Sequence, residues 1–308
     1  MITGILLRAR DRVSSGKETI GGALKIFYIR RALRIFPIYY LVLAIAYAAD
    51  TPPVRESILW HLAYATNFYT SIQNSWPGEI AAFWSLAVEE QFYLIWPCFI
   101  LLCPQKWLKG GIISTIALGV ISRYLMVKFN FNGIWIASSL VTQLDLLGVG
   151  ALLAWVNYQN PSHNYRSYTL CKLGLWIGTP LYFILHPLNN NGHGDHLTLT
   201  IAQVGLAGCC AWFVQRAARG FTGVVGRFFE SKPMVQMGKL SYGIYVYHMF
   251  APVALYHFFH LPYIQDPVLR FPVSILITFT AAILSWKFIE QPILGFKKYF
   301  SYGEKGRI

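Results

Sequence analysis

Charge is scarce in this chain. Of its 308 residues only 13% are charged and only 13 are Asp or Glu, whereas an ordinary soluble domain is about a quarter charged. A soluble protein with so little charge could not cover its surface, so lipid is the simplest solvent for the 55% of residues that are hydrophobic. The 19 Tyr and 10 Trp suit the aromatic belts at membrane interfaces. The composition predicts an all-α integral membrane protein.

Common catalytic and metal-binding signatures are also missing. The sequence has no glycine-rich nucleotide loop, serine-hydrolase elbow or zinc-protease motif. Its five cysteines form no CxxC pair, which favours small buried hydrophobes over a redox role. We interpret the connection that carries His193, Asp195 and His196 as a solvated outer loop rather than a metal site. No metal and no tightly bound cofactor are predicted.

Long apolar segments are abundant, and a membrane span needs about 20 mostly apolar residues. A stub at residues 1–7 is too short to span, and it lacks the basic region and cleavage site of a signal peptide. We predict one transmembrane domain over 1–308, a multi-span helical bundle of eight full spans plus a partial first one, with a short cytoplasmic tail at 299–308. The predicted spans are 35–49, 83–103, 111–127, 138–156, 172–186, 197–214, 237–258 and 270–289.

The basic residues lie on one side of these spans. Nineteen of the 26 Lys and Arg fall in alternate connections, and the opposite connections hold two. This asymmetry predicts that the basic side and the C-terminus are cytoplasmic. The net charge of +13 is then explained by topology, so nucleic-acid binding loses its support.

Two adjacent carboxylates, Glu89 and Glu90, enter the second span. Ionisable groups at membrane depth cost about 2.5–3.5 kcal/mol each and are therefore functional candidates. Adjacent helical residues point about 100° apart, so one carboxylate faces the bundle and the other the interface. Ser85, Glu89 and Tyr93 follow each other at one-turn spacing, a polar stripe that could hold a proton-exchanging carboxylate. Simple hydration of both glutamates at the outer interface is the alternative.

Two later spans carry further polar groups. Asp145 is a lone acid beside Gly148 and Gly150, and it serves either a functional site or a hydrogen bond to a neighbouring helix. His248 is either a general base or a buried histidine paired to a neighbour. It shares one helix face with Ser241 and Tyr245, with Tyr242 beside them.

Two arginines, Arg31 and Arg34, lie one turn apart at the predicted cytoplasmic mouth of the first span. Two guanidiniums so placed suit a phosphate-bearing ligand such as a nucleotide or coenzyme A. Positive-inside anchoring with anionic lipid explains the charge equally well. Glu290 is expected to be an interfacial acid paired with Lys287. Arg123 and His61 are weaker candidates.

Together these elements resemble, in order, the motifs of the membrane acyltransferase 3 family, bacterial enzymes that O-acetylate cell-surface glycans. MITGILL resembles the end of the family's second helix, and IRRALRIFPIYY resembles its Arg-x-x-Arg element with Arg31 and Arg34. The other resembling stretches are FWSLAVEEQFYLIWP (Trp84, Ser85, Glu89, Phe92, Tyr93, Pro97), LDLLGVGALLA (Asp145, Gly150), MGKLSYGIYVYH (Ser241, Tyr242, Tyr245, His248) and FIEQPIL (Glu290, Pro292).

The resemblance implies a ten-helix bundle in the inner membrane. It also implies a cytoplasmic acyl-CoA, usually acetyl-CoA, as co-substrate and a glycan hydroxyl at the outer face as acceptor. The predicted topology agrees with this, because it places the arginines on the cytoplasmic side and the carboxylates near the outer side. The implied catalytic set is Ser85, Glu89, Tyr93, Tyr245 and His248. The implied substrate-binding set is Arg31 and Arg34, which would bind the CoA phosphates, with Asp145, Ser241 and Tyr242.

One departure from the family concerns its first helix, which carries an arginine and a histidine held to be catalytic. This sequence has no such helix, so we expect an N-terminally incomplete chain that is inactive alone. The rival hypotheses are a transporter of a glycan or lipid and a non-catalytic membrane partner. The acceptor and the oligomeric state are not readable from the sequence.

Overall fold

The computed structural model describes residues 2–159, 165–190, 196–258 and 266–302. Within these ranges the secondary structure is helical, and no strand occurs. In chain order the helices are α1 (Ile2–Ser14), α2 (Ile20–Ala48), α3 (Val54–Leu62), α4 (Thr66–Gln73), α5 (Phe83–Leu102), α6 (Gln105–Lys128), α7 (Gly133–Ser138), α8 (Leu140–Gln159), α9 (Tyr165–Asn190), α10 (His196–Arg219), α11 (Gly223–Phe229), α12 (Lys232–Phe258), α13 (Pro267–Ser285) and α14 (Gln291–Gly295). Short 3₁₀ turns occupy Gly78–Ile80 and Phe296–Tyr299, and a π-helical turn occupies Trp286–Glu290.

The multi-span helical fold class is confirmed, because each predicted span overlaps a helix. Five helical segments in the described part of the chain are long and apolar enough to cross a membrane. They are Ile20–Ala48, Gly78–Leu102, Gln105–Lys128, Gly133–Gln159 and Val268–Tyr299. The largest boundary difference is at α2, which begins at Ile20 rather than near 35. The basic residues of its first turns hide this extension from a hydropathy pattern, although they are good helix formers.

The chain groups into two compact units, each assembled from two separate stretches. The first unit contains Met1–Ile20 and Phe92–Arg227, and the second contains Gly21–Gln91 and Phe228–Ile308. One division therefore falls within α5. The prediction of one transmembrane domain over 1–308 remains a prediction.

In the first unit α6 and α8 are joined by a buried ion pair. Arg123 Nη1 donates to Asp145 Oδ2 at 2.6 Å, and its Nη2 donates to Asp145 Oδ1 at 2.8 Å. Arg123 also donates to the carbonyl of Thr142. Both charged side chains are 2% exposed, so each neutralises a charge that would be costly at membrane depth if it stood alone.

Glycines set the crossing of α9 and α10 in the same unit. Gly174 and Gly178 face Gly205 and Gly208 so closely that a Cβ on Gly178 would lie 2.3 Å from the carbonyl oxygen of Gly205. Small residues at such a crossing allow the two backbones to approach, as they do between membrane helices generally.

The core of the second unit is aromatic and aliphatic. It packs residues of α2, of the start of α5 and of α12 around Tyr39, which is fully buried. The Tyr39 ring stacks on Tyr64 with centroids 4.2 Å apart and lies 4.9 Å from the ring of Phe83. Such pairs add about 0.5–1.5 kcal/mol each beyond burial of their area.

The connection between α2 and α5 is folded and contains buried polar groups. α3 and α4 bury Ser57, His61, Thr66, Asn67, Thr70 and Ser71. Gln91 of α5 donates to the Tyr64 carbonyl and to Asn67 Oδ1, both at 2.9 Å. These bonds hold the connection against the third turn of α5, so the connection is folded onto that helix.

Candidate active site

Arg31 joins two of the motifs identified in the sequence. Its Nη2 lies 3.2 Å from Glu89 Oε2, and its Nε lies 3.1 Å from Glu90 Oε1. The planar guanidinium presents donors along two edges, so one arginine can bind two carboxylates that point about 100° apart on their helix. Glu90 is the more enclosed partner, with a side chain 13% exposed against 43% for Glu89.

This contact corrects the expectation that the arginines and the carboxylates lie near opposite membrane faces. Because α2 begins at Ile20, Arg31 lies about 17 Å along that helix rather than at its mouth. The folded connection meanwhile packs against the first turns of α5, through the bonds of Gln91. The early start of α2 and the folded connection together place Arg31 beside Glu89.

The late tyrosine motif meets the start of α5. The Tyr245 hydroxyl donates to the Ala82 carbonyl at 2.6 Å, and it contacts the Ser85 hydroxyl. Ser85 Oγ also lies 3.3 Å from the Ala82 carbonyl, so both hydroxyls reach that acceptor and either can donate in their mutual contact. Tyr245 is also within electrostatic range of Glu89. Ser85, Glu89 and Tyr245 are thus close together, and their catalytic roles remain a prediction.

Tyr242 and Glu290 extend the site on its other side. The Tyr242 hydroxyl donates to the carbonyl of Ile35 at 2.6 Å, one residue beyond Arg34. It interacts electrostatically with Glu290 and with Glu90, so it lies near both acidic groups. Tyr242 therefore belongs to the buried wall of the site.

Glu290 is not an interfacial partner of Lys287, so that prediction is wrong. The residue is 3% exposed, its Oε1 is 3.4 Å from Ser285 Oγ, and Arg34 acts on it electrostatically. The Lys287 ammonium instead lies 5.5 Å from the centroid of the Phe288 ring. The physical reason is the π-helical turn Trp286–Glu290, which carries Glu290 inward against Gly243. Such turns frequently occur at functional sites.

Ser241 and His248 lie on the exposed side of α12. Ser241 donates to the carbonyl of Gly238 at 3.0 Å, and His248 Nδ1 lies 2.6 Å from the Tyr245 carbonyl. A carbonyl can only accept, so Nδ1 carries the proton and Nε2 is left as the basic nitrogen. The structure therefore does not bury these two side chains with Tyr245, although their helix is shared.

Three cationic residues, Arg30, Arg34 and Lys297, lie near one another beside Arg31. Arg34 lies one turn after Arg30, and both act electrostatically on Lys297 in the C-terminal 3₁₀ turn. Arg30 Nη1 also donates to the carbonyl of Phe300 at 2.9 Å. Sequence reasoning missed both residues, because Arg30 is not part of the Arg-x-x-Arg spacing and Lys297 lies beyond the last predicted span.

The remaining predicted site residues are placed as follows. Asp145 belongs to the first unit, in its ion pair with Arg123. A lone arginine and a lone acid in successive spans are a signal that could have predicted this pair. Tyr93 lies one turn beyond Glu89 on α5 and is partly buried. His193 and Asp195 lie outside the described residues.

His61 is a buried histidine of the folded connection. Its Nε2 is 2.9 Å from Ser57 Oγ and its Nδ1 is 2.8 Å from Thr66 Oγ1. Ser57 gives its proton to the carbonyl of Pro53 at 2.6 Å, so the histidine donates to Ser57 and is not its base. Burial lowers the pKa of His61 to about 4, which keeps the ring neutral at neutral pH.

These features define a class of protein. A multi-span helical fold holds a paired arginine and carboxylates, a serine–tyrosine contact and a cationic group within one unit. Such a set can bind an anionic ligand and move a proton at a carboxylate, which are two requirements of transfer from a phosphate-bearing donor.

The family comparison is consistent with that class. The family model Acyl_transf_3, described as an acyltransferase domain, matches residues 1–287. The chain therefore belongs to the acyltransferase 3 family.

Several relatives share most of this chain. The peptidoglycan O-acetyltransferase OatA of Listeria monocytogenes is 30% identical over 333 residues, covering 97% of this chain and 50% of that protein. A putative O-acetyltransferase of Staphylococcus aureus (strain COL) is 25% identical, covering 95% and 50%. The O-acetyltransferase OatA of S. aureus (strain NCTC 8325) is 24% identical, covering 89% and 48%. The chain thus spans about half the length of these relatives. No solved structure matches it significantly.

Proposed function

We propose that this protein is a membrane O-acyltransferase. It moves an acyl group, by preference acetyl, from cytoplasmic acyl-CoA to a hydroxyl of a cell-surface or exported glycan. Membership of the acyltransferase 3 family and the similarity to O-acetyltransferases support the reaction class. The inner-membrane location and the cytoplasmic acyl-CoA donor are parts of the same proposal and rest on the family resemblance, whereas the cytoplasmic C-terminus rests on the charge asymmetry.

One observation carries the proposal. Arg31 binds Glu89 and Glu90 while Ser85 contacts Tyr245, so three separate stretches of the chain meet at one group of polar side chains. Polar groups at membrane depth are costly, and neither pair is required to build the apolar core around Tyr39. A reaction site is the simplest reason for their assembly.

The two carboxylates take different roles in this proposal. Glu90, with a side chain 13% exposed, anchors Arg31, whereas Glu89 is 43% exposed and so is open to a reacting group. In the overall transfer the thioester C–S bond breaks and an ester C–O bond forms. The acceptor hydroxyl loses its proton towards Glu89, and the leaving CoA thiolate gains a proton. Tyr245 and Ser85 hold the α5 and α12 sides of the site together.

Replacing Glu89 with Gln tests this function. The amide keeps the size of the side chain but cannot take a proton, so ester-linked acetate on the glycan should fall at least a hundredfold, the usual scale of lost proton transfer. Acetate released by mild base from purified cell-wall glycan measures the effect, in a host lacking its own O-acetyltransferases and with the first helix of a family member supplied ahead of each variant. Membrane abundance of the variant should be unchanged.

Glu56→Gln is the matched control, because Glu56 is an exposed acid of α3 in the same unit. It should retain normal acetylation. Normal acetylation by Glu89→Gln at equal abundance would refute the assigned role. A lack of acetate with the unsubstituted chain, together with a lack of acetyl-CoA binding, would refute the function.

A further inference from the structure

A cavity of about 650 Å³ opens between α1, α8 and α10 of the first unit. Small residues form much of its apolar wall, among them Gly150 and Ala154 of α8 and Ala218 of α10. A Cβ on Gly150 would meet nothing within 4 Å, whereas one on Gly148 would lie 2.7 Å from Cγ1 of Ile116 in α6. Gly148 therefore serves helix packing, while Gly150 leaves a slot open.

The polar part of the lining lies at one end of the cavity. Arg8 is one turn beyond Gly4 on α1, and Asn157 and Tyr158 belong to the last turn of α8. Asn157 exchanges side-chain hydrogen bonds of 2.7 and 3.1 Å with Gln215, which join α8 to α10 at this end. All three helices end at predicted basic connections, so this is the predicted cytoplasmic end of the cavity.

Arg8 is the charged residue of the lining. Its Nη1 lies 4.0 Å from the position that a Cβ on Gly4 would occupy, so the guanidinium points back along α1 towards the apolar wall. Within the part of the chain that the structure describes, no carboxylate lies within 4 Å of Arg8. Asp11, the acid of the same helix, instead accepts from the hydroxyl of Tyr158. A cation without a protein anion therefore stands at the end of an apolar slot.

We infer that this cavity binds an anionic phospholipid, with an acyl chain in the slot and the phosphate at Arg8. Gly150, Val214 and Ala218 are exposed, so a chain can enter from the bilayer. Basic pockets between membrane helices on the cytoplasmic side are typical sites for anionic headgroups. A guanidinium binds phosphate oxygens through a fork of donors. The inference does not depend on the transfer reaction.

The size of the cavity favours an acyl chain over a further helix. An α-helix about 10 Å across that rises 5.4 Å per turn takes up roughly 420 Å³ per turn. The cavity would therefore hold fewer than two turns, too little for a membrane span. An acyl chain is thinner and can extend along the slot. A free phosphate ion would leave the apolar wall uncovered.

Native mass spectrometry tests the headgroup contact. The full chain is released from nanodiscs that contain equal amounts of anionic phosphatidylglycerol and neutral phosphatidylcholine, and the retained lipid is weighed. Phosphatidylglycerol should be retained in preference. Arg8→Gln should weaken its retention about tenfold, the loss of one charged hydrogen bond, and should leave phosphatidylcholine unchanged. Lys106→Gln is the matched control, because Lys106 is exposed on the same predicted side and lies outside the cavity lining.

A second substitution tests the slot. Gly150→Leu places a side chain in the space of the acyl chain, so it should reduce the retention of both lipids at least tenfold. Its melting temperature without added lipid should be equal or higher, because glycine is a poor residue within a helix. Gly110→Leu is the matched control. A Cβ there also meets nothing within 4 Å, but Gly110 lies outside the cavity lining, so lipid retention should not change.

Four results would overturn the inference. The first is equal retention of the two lipids by the unsubstituted chain, and the second is unchanged retention by Arg8→Gln or by Gly150→Leu. The third is release of phosphatidylglycerol by inorganic phosphate, which would assign Arg8 to a soluble anion. The fourth is loss of the lipid when the first helix of a family member is placed ahead of Met1, which would assign the cavity to that helix.

Discussion

At the scale of single residues, Arg31 determines how the site is built. A lysine in its place would offer one compact charge, whereas the guanidinium spans Glu89 and Glu90 through separate nitrogens. Its side chain is 20% exposed, so its loss would leave Glu90 enclosed with no cation in contact. Leaving a partly buried charge without its partner destabilises a protein by more than the intact ion pair stabilises it.

We predict that Arg31→Gln lowers the stability of the protein by about 2 kcal/mol, below the range for fully buried pairs because of that exposure. Glu90→Gln in the same chain should recover part of the loss, with a coupling of about 1 kcal/mol. Apparent melting temperatures in detergent for the two single variants and the double variant measure this coupling. Simple additivity of the three values would contradict it.

The control for this cycle is Arg55→Gln. Arg55 pairs with Asp50 at 3.0 Å, but the two side chains are 48% and 69% exposed. Exposed ion pairs contribute about 0–1 kcal/mol, so the melting temperature should barely change.

At the scale of helices, the close approach of α6 and α8 depends on Gly119. A Cβ at this position would lie 2.3 Å from the backbone nitrogen of Asp145 and 3.0 Å from its Cα. A backbone cannot move aside as a flexible side chain can, so the two helices would have to separate. Separation would stretch the bonds between Arg123 and Asp145, which join the same two helices.

We predict that Gly119→Ala destabilises the protein by about 2–3 kcal/mol, the cost of overpacking at a rigid contact. Gly110→Ala is the matched substitution, because it lies in the same helix and its Cβ would meet nothing within 4 Å. It should be neutral or should stabilise by about 0.5–1 kcal/mol through helix propensity. Tryptophan fluorescence during thermal unfolding distinguishes the two. Equal melting temperatures would show that the crossing is looser than described.

The positions of the helices were the part of the fold that the sequence predicted best. Each of the eight apolar runs overlaps a helix, and five helical segments in the described part of the chain are long and apolar enough to cross a membrane. The extension of α2 back to Ile20 was missed, since its basic residues interrupt the hydropathy signal without interrupting the helix. The π-helical turn before Pro292 was also missed, because no composition pattern encodes the inward turn of Glu290.

Pairing between distant helices was the least predictable part of the site. Arg123 and Asp145 could be matched as lone opposite charges in successive spans. Arg31 and Glu89 could not, because their common level depends on how the connection from 49 to 82 folds, and its polar contacts carry no periodic signal. Lys297 lies beyond the last predicted span, in a segment with no motif that indicates a site.

At the scale of the whole molecule, the charge asymmetry of the predicted connections predicts an orientation. Nineteen basic residues lie in one set of connections and two in the other, and such a bias normally keeps the basic set in the cytoplasm. Arg30 and Lys297 belong to the basic set, which is where a water-soluble donor would arrive.

We predict that a fluorescent protein fused to the C-terminus is bright and that alkaline phosphatase fused there is inactive. Fluorescent proteins of this kind fold in the cytoplasm, whereas the phosphatase needs the oxidising outer compartment for its disulfides. Fusions placed within the connection 128–137 should give the reverse pattern and serve as the control. An active phosphatase at the C-terminus would refute the orientation.

The contact between Arg31 and Glu89 also has a consequence for the order of events during synthesis. The partners are separated by 58 residues, which take about 3–12 s to synthesise at 5–20 residues per second. During that interval α2 enters the membrane with a guanidinium that costs about 2.5–3.5 kcal/mol on insertion scales. We expect α2 to remain weakly anchored until α5 emerges and supplies both carboxylates, so that the two helices insert stably as a pair.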